Sequence, residues 1–326
     1  MNSDISKKNL KVLFIILIMS MPFWWGMNVF ANNLESFYFA RMANGTSEIF
    51  TAQLNRIILL HKAEQRQRKI DSLQIGARAA ISVEMDKNGK ERILYENNSG
   101  QFLPIASLTK LMTALIVFDL NETYNSSQLI IISKEAFDQE GSLRYGDLIV
   151  GEKISIENLL NIMLIESSND AAFALAEFIS KDAFVDLMNY YAQDLELADT
   201  KFFNPTGLDE ASPSKESNFS TVQDLARLAE YILENYPRIF EITTKKNYGV
   251  FNHDGSLRYF MPQNINELLG EIPGIIGGKT GFSILANGCL LLVVNGEEKG
   301  SYIINVVLGS GDRFGDMRKL IEAVRE

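Results

Sequence analysis

The β-rich segments of this sequence lie at two ends of one region, and the long stretch between them is patterned for helix. Ala79 to Met85 (AAISVEM) alternates loosely, as a strand does. Asp86-Lys87-Asn88-Gly89 follows as a turn with a strong Asn-Gly hairpin signal, and Arg92 to Tyr95 is the return strand. The other strand candidates come much later: Ile275 to Thr280, Cys289 to Val294 and Tyr302 to Leu308, separated by Gly/Asn turns. A lone hairpin cannot bury its apolar face, so both ends are expected to share one antiparallel sheet. One helix from near Ser107 to about Leu120 and a final helix from Gly315 to Val324 would flank it. Between them, about 121–240 forms a helical lobe. Ile156 to Ile165 and Ala171 to Ile179 are apolar at helical spacing, broken by Ser167-Ser168-Asn169-Asp170, and Ser220-Thr221 caps a helix that runs to about Leu233 before Pro237. The expected fold is therefore a two-lobed α+β domain over 75–326, with a cleft between the lobes as the expected site.

Residues 32–74 read as a helical connector, and residues 1–31 as a leader. Lys7, Lys8 and Lys11 precede an uncharged stretch from Val12 to Ala31. Val29-Phe30-Ala31 offers a cleavage site after Ala31, which makes the leader an export signal. The stretch is equally long enough to remain as a membrane anchor, with Trp24 and Trp25 at an interface. Both readings leave the basic residues in the cytoplasm and place the rest of the chain outside, as an exported protein in the periplasm or at the extracytoplasmic face of a bacterial membrane.

Charge and composition remove several classes. There are 31 Lys+Arg against 41 Asp+Glu, a formal net charge of −10, which is not the footprint of a nucleic-acid binder. Cys289 is the single cysteine, which excludes an intramolecular disulfide and a multi-thiolate zinc site. Two histidines, His61 and His253, leave little for a His-rich metal centre or a Ser-His-Asp triad. No metal and no organic cofactor is implied.

Three short motifs carry chemistry. Ser107-Leu108-Thr109-Lys110 opens a helix and puts an amine three residues beyond a hydroxyl, on the same face. A serine hydroxyl needs a base to become a nucleophile, and a lysine must be desolvated or face another cation to serve as one. Ser107 is otherwise an ordinary helix cap. Ser167-Ser168-Asn169 sits between two helices, where a hydroxyl can relay a proton and an amide can hold a substrate amide; the plain alternative is again a helix cap. Lys279-Thr280-Gly281 falls at the start of a predicted strand. Gly281 lets another backbone approach, and Lys279 adds a cation to keep Lys110 deprotonated and attract a carboxylate.

In this order, Ser-x-x-Lys, Ser-x-Asn and Lys-Thr-Gly resemble the three signatures of the penicillin-binding protein and serine β-lactamase superfamily. The surrounding residues, Pro104 to Ala114, Ser167 to Ala172, Asn204-Pro205-Thr206-Gly207-Leu208 and Gly278 to Phe282, closely resemble the serine D-Ala-D-Ala carboxypeptidases. The resemblance runs from about Ala77 to the C-terminus. It implies the two-lobed penicillin-binding-protein-like transpeptidase fold, with Ser107 as acyl-ester nucleophile, Lys110 as its proton acceptor and Ser167 assisting protonation of the leaving group. Asn169, Lys279, Thr280 and Gly281 would bind substrate, and the backbone N–H groups of Ser107 and Phe282 would form an oxyanion hole. The implied substrate is a peptidoglycan stem peptide, and β-lactams would be covalent inhibitors.

The sequence departs from that pattern in three places. Ser168 stands where many relatives have Gly, and its side chain would either narrow the site or point away; Phe282 stands where several have His. Relatives often add a β-rich C-terminal domain and an amphipathic helix, and neither is expected after Met317 to Glu326. The rival readings are a DD-endopeptidase with the same apparatus, a β-lactamase, which lacks a deacylating Glu-x-x-Leu-Asn here, and an inactive peptidoglycan-binding protein. Glu166 reads as a helix-end residue, His253 as a turn residue and Cys289 as core filler.

Overall fold

Strands β1 (Ala79–Met85) and β2 (Glu91–Asn97), from the start of the domain, share one antiparallel sheet with three strands from its end. Numbered for their place in the chain, these are β9 (Ile275–Ser283), β10 (Asn287–Asn295) and β11 (Tyr302–Ser310). The order is β2-β1-β11-β10-β9, so the two ends of the domain meet at β1 and β11, with Ala79 opposite Leu308 and Met85 opposite Tyr302. β9 is an edge strand.

Both faces of the sheet are covered, which explains the near-continuous apolar runs in β10 and β11. Ile81, Val83, Leu291, Val293, Ile304 and Val306 face the helical side. Leu290, Leu292, Val294, Ile303 and Val307 pack on Met317, Leu320, Ile321 and Val324 of the last helix (Arg313–Val324). Each such side chain contributes roughly 1.5–3 kcal/mol on leaving water. One polar pair interrupts the pattern: Ser82 Oγ donates to Asn305 Oδ1 at 2.8 Å, which satisfies both inside the sheet.

The computed structural model describes residues 48–139, 145–209, 217–252 and 254–325. The leader at 1–31, the first part of the connector and His253 lie outside the described residues. The chain divides into two units, residues 1–65 and 66–326. Helix α1 (Glu48–Asp71) occupies the described part of the connector. Among the described residues, no helix is long and apolar enough to cross a membrane.

The lobe between the sheet halves holds α2 (Lys110–Asp119), α3 (Lys134–Phe137), α4 (Ile156–Ile165), α5 (Asn169–Glu177), α6 (Lys181–Asp194), α7 (Val222–Asn235) and α8 (Arg238–Thr243). The last helix is α9. Nine of the ten residues of α4, all but Glu157, are buried, so it is the lobe's central helix. In α7 the buried residues Val222, Leu225, Ala226, Leu228, Ala229 and Ile232 recur at helical spacing, and Thr221 Oγ1 caps it by accepting from Asp224 N at 3.1 Å.

Several features differ from the sequence expectation. The helix expected from Ser107 enters through a 3-10 turn, Ala106–Thr109, and becomes α-helical only at Lys110. Lys279-Thr280-Gly281 stands inside β9 and not at its start, because the strand begins earlier, at Ile275, and runs on to Ser283. Short strand pairs went unpredicted: β3 (Leu103–Pro104) with β6 (Phe219–Ser220), β4 (Leu129–Ile131) with β5 (Lys153–Ser155), and the hairpin β7 (Tyr248–Phe251) with β8 (Leu257–Met261). Runs of two to five residues are too short for a period to register.

Candidate active site

Ser107 and Lys110 owe their alignment to the 3-10 turn, in which side chains three residues apart eclipse one another. Lys110 Nζ stands 2.8 Å from Ser107 Oγ. The amine is fully buried and also donates to Asn169 Oδ1 at 2.6 Å and to the Thr206 carbonyl at 2.8 Å. Ser107 is not a helix cap: no side chain caps this turn. Ala106 just before it has φ 45°, a conformation that costs a non-glycine residue about 1 kcal/mol. Gly207, itself at φ +81°, is pressed against that residue; a Cβ on it would stand 1.9 Å from the Ala106 carbonyl oxygen.

The loop supplying the Thr206 carbonyl is fixed by two buried asparagines. Asn218 Oδ1 accepts from Phe203 N at 2.7 Å and Asn204 N at 3.1 Å, while its amide donates to Thr109 Oγ1 at 2.9 Å and Asn204 O at 2.8 Å. Asn204 Oδ1 accepts from Gly207 N at 2.7 Å and Thr206 N at 3.1 Å. Thr113 Oγ1, one helical turn beyond Thr109, donates to Pro205 O at 2.7 Å. Asn204-Pro205-Thr206-Gly207 is thus the cradle of the Lys110 amine.

The second motif lies at the corner between α4 and α5. Ser167 takes φ 67° to turn the chain, and the capping role passes to Ser168, whose Oγ accepts from Ala171 N at 3.2 Å. Ser168 is fully buried and occupied as a cap, so the serine found where many relatives have glycine does not narrow the cleft. Ser167 Oγ accepts from Lys279 Nζ at 2.8 Å, and that amine also donates to Thr280 O at 2.9 Å. Burial pushes Lys279 well below the ordinary lysine value, with the Lys110 and Arg313 cations acting in the same direction.

Ser107, Ser167, Asn169, Thr280, Gly281 and Phe282 all line one cleft of about 680 Å³. Gly281 brings β9 directly onto the Ser107 turn: a Cβ there would lie 3.2 Å from Ile105 O and from Ser107 N. Phe282 is exposed beside it. All the site residues expected from the three motifs therefore meet in or directly behind one cleft. Among the described residues, no group of three His, Cys, Asp or Glu side chains gathers to hold a metal ion. Cys289 is buried core, its thiol pushed up to about 11 by burial.

Three residues of the site were not foreseen. Arg313 lines the cleft, with its guanidinium carbon 5.9 Å from the Phe282 ring centroid and 4.7 Å from that of Phe314. Its Nε is buried without a hydrogen-bond partner among the described residues. A signal existed: it opens α9, and a cation at a helix N-terminus opposes the dipole. Asp209 accepts from Ser283 Oγ at 2.8 Å and Leu285 N at 2.9 Å, tying the Lys110 cradle to the end of β9. Glu166 does end α4, as expected, but its buried carboxylate also lines the cleft.

The family model of peptidase S11, D-alanyl-D-alanine carboxypeptidase, matches residues 63–312. The D-alanyl-D-alanine carboxypeptidase DacF of Bacillus subtilis (strain 168) is 32% identical over 268 residues, covering 80% of this chain and 65% of that protein. The chain thus spans slightly under two thirds of that relative. A D-alanyl-D-alanine endopeptidase of Pseudomonas aeruginosa is 34% identical over 72% of this chain and 71% of its own length. Among solved structures, the cefotaxime-bound penicillin-binding protein D2 of Listeria monocytogenes superposes with a TM-score of 0.66 at 31% identity, covering 78% of this chain and 98% of that one. The motifs, the fold that gathers them and these matches agree, and the chain belongs to the D-alanyl-D-alanine carboxypeptidase family within the penicillin-binding protein and serine β-lactamase superfamily.

Proposed function

We propose that this chain is a serine D-Ala-D-Ala carboxypeptidase that removes the terminal D-Ala from peptidoglycan stem peptides through an acyl-enzyme on Ser107. The observation that carries this reading is the set of partners around Lys110. An uncharged amine has two N–H donors and one lone pair. An uncharged Lys110 that donates to Asn169 Oδ1 and the Thr206 carbonyl can turn its lone pair to the Ser107 hydroxyl, 2.8 Å away. Lys110 and Lys279 share one buried space, so a charge on either opposes a charge on the other, which favours one of the two amines giving up its proton.

In this mechanism Lys110 takes the Ser107 proton as Oγ attacks the penultimate carbonyl carbon. The oxyanion develops against the backbone N–H groups of Ser107 and Phe282, held together by the close packing at Gly281. The C–N bond breaks, and the amine of the departing D-Ala receives a proton through Ser167, which Lys279 orients. Water then hydrolyses the ester and returns Ser107. The substrate lies as an added strand on the open edge of β9. We assign its terminal carboxylate to Arg313, in place of Lys279, because Lys279 is buried behind Ser167 whereas Arg313 borders the cleft.

β-Lactams acylate the same hydroxyl in this reading. The Listeria relative in complex with cefotaxime, of the same fold, supports it. We place the domain outside the cytoplasmic membrane, on the strength of Lys7, Lys8 and Lys11 before the uncharged stretch from Val12 to Ala31. Cell fractionation with N-terminal sequencing of the mature protein decides between a cleaved leader and a retained anchor.

A second reading, DD-endopeptidase, is favoured by the Pseudomonas relative of that name. Purified protein given pentapeptides and cross-linked dimers separates the two: free D-Ala is expected from the first, and cleavage of the dimers alone would establish the second. Mass spectrometry after penicillin treatment is expected to find the adduct on Ser107, and an adduct on any other residue would defeat the assignment.

A further inference from the structure

Glu166 stands at a junction that the three motifs do not account for. One carboxylate oxygen accepts from Gly146 N at 2.7 Å and the other from the Tyr259 hydroxyl at 3.0 Å. The Gly146 peptide is gripped on its other side too, since Arg258 Nη1 donates to its carbonyl at 2.9 Å. Arg258 is fixed in turn by a two-pronged pair with Glu152, at 2.7 and 2.8 Å. Arg258 and Tyr259 are neighbours on β8, so Glu166, Gly146, Arg258 and Tyr259 close a ring. Gly146, at φ +81°, has no room to move toward α4: a Cβ on it would meet Ile162 Cγ2 at 2.3 Å. The residue just before it, Tyr145, lines the catalytic cleft with Ser107, Ser167 and Asn169 and is 36% exposed.

We infer that Glu166 is a positioning residue: through Gly146 and Tyr259 it fixes Tyr145 as a wall of the cleft, and Tyr145 contacts the stem peptide beyond the two terminal alanines. An aromatic side chain with a polar tip suits an extended peptide, with its ring against apolar stem and its hydroxyl against an amide. A carboxylate with both oxygens engaged by donors of the protein is suited to holding a wall in place. This inference rests on the peptide-binding reading given above, and it separates Glu166 from the chemistry: its removal should weaken binding of a long peptide and leave bond-making at Ser107 nearly intact.

The experiment compares Glu166→Ala, Glu166→Gln and Tyr145→Ala. In the active protein, Glu166→Ala is expected to raise KM for a stem pentapeptide about tenfold with kcat within about twofold, the pattern of lost uniform binding. Acylation by 6-aminopenicillanic acid, which has no acyl side chain to reach the wall, should change by less than about twofold on the same reasoning. Glu166→Gln should rescue KM, because its carbonyl can accept from Gly146 N and its amide can donate to the Tyr259 oxygen. Tyr145→Ala should reproduce the rise in KM, and it decides the matter alone if Glu166→Ala fails to fold. The same variants in a Ser107→Ala background give the peptide dissociation constant without turnover. A Kd that follows this pattern while the wild type releases no D-Ala would uphold this inference and sink the proposed activity. D-Ala release with Kd and KM unmoved by Glu166→Ala or Tyr145→Ala would sink this inference alone. A fall in kcat and in 6-aminopenicillanic acid acylation, with KM unmoved, would likewise overturn it, and so would a protein that binds no stem peptide.

Discussion

Ser107 reaches Lys110 within a single turn of backbone, whereas Ser167 reaches Lys279 across 112 residues of chain. Both serines are set by a residue at positive φ, Ala106 at 45° before the first and Ser167 itself at 67°. Both lysines are buried. The difference lies in what surrounds each amine. Lys110 has two oxygen acceptors from remote parts of the fold in addition to its serine. Lys279 has the Thr280 carbonyl of its own strand and is pushed toward neutrality first by burial. In the proposed mechanism the first pair moves a proton off its serine, and the second orients a serine beside it.

The largest effect that tests this contrast is loss of the nucleophile. Ser107→Ala is expected to reduce turnover by at least about 10⁴-fold and to abolish the covalent penicillin adduct, as seen by intact-protein mass spectrometry. Lys110→Met should come close to it, by about 10³-fold or more, since no other base faces the hydroxyl in this mechanism. Acylation by Lys110→Met at near wild-type rate would erase the distinction between the two lysines.

Lys279→Gln should cost less, about 10²-fold in acylation rate, because it removes an orienting and electrostatic group and not the base. It also has a pH signature. Lys279 is lowered below its ordinary 10.5 in the fold, chiefly by burial and then by Lys110 and Arg313. Between the lowered value and 10.5, the unfolded chain therefore carries more protons, and stability rises with pH across that window; below it the full cost is present. The wild type should gain stability relative to Lys279→Gln as the pH is raised from neutral toward 10.5, measured by denaturant melts at each pH. A difference flat with pH would mean that the amine is charged at no cost.

Backbone substitutions sharpen the comparison in stability. Gly207→Ala forces a Cβ to within 1.9 Å of the Ala106 carbonyl oxygen, so it should destabilise by about 3 kcal/mol or more and displace Ser107 with it. Gly255→Ala is the control: its φ is +82° but a Cβ there meets nothing within 4 Å, and only the conformational cost of about 1 kcal/mol is expected. The smallest effect is expected for Ala106→Gly. It relieves a positive φ but adds freedom to the unfolded chain, so the net change should stay under about 1 kcal/mol by thermal melting.

The parts of the site legible in the sequence are those whose geometry is local. Ser-x-x-Lys needs only one turn of helix, Ser-x-Asn only a break between two helices, and Lys-Thr-Gly only a strand. Ser168 shows where this reading stops: the sequence allowed it to narrow the cleft or to point away, and its bond from Ala171 N is what decides. Arg313 carried a faint signal as a cation opening a helix, but nothing local says that it borders the same cleft as Ser107, 206 positions earlier (313 − 107). Lys279 was expected to attract a carboxylate as a second cation, while its burial behind Ser167, 112 residues earlier in the chain, is something that no short motif encodes.

By itself the sequence determined the five strands of the main sheet, the helical character of the lobe between them and the chemistry these elements carry. Apolar periodicity selects helix or strand residue by residue, and a serine three places before a lysine on one turn is already half a catalytic pair. Only the tertiary structure decided what an amine at the bottom of the cleft can do. Whether Lys110 acts as a base depends on the Thr206 carbonyl, the Asn169 amide oxygen and the neighbouring Lys279 amine. These come from three distant stretches of chain, and burial and charge act through space and not along the backbone.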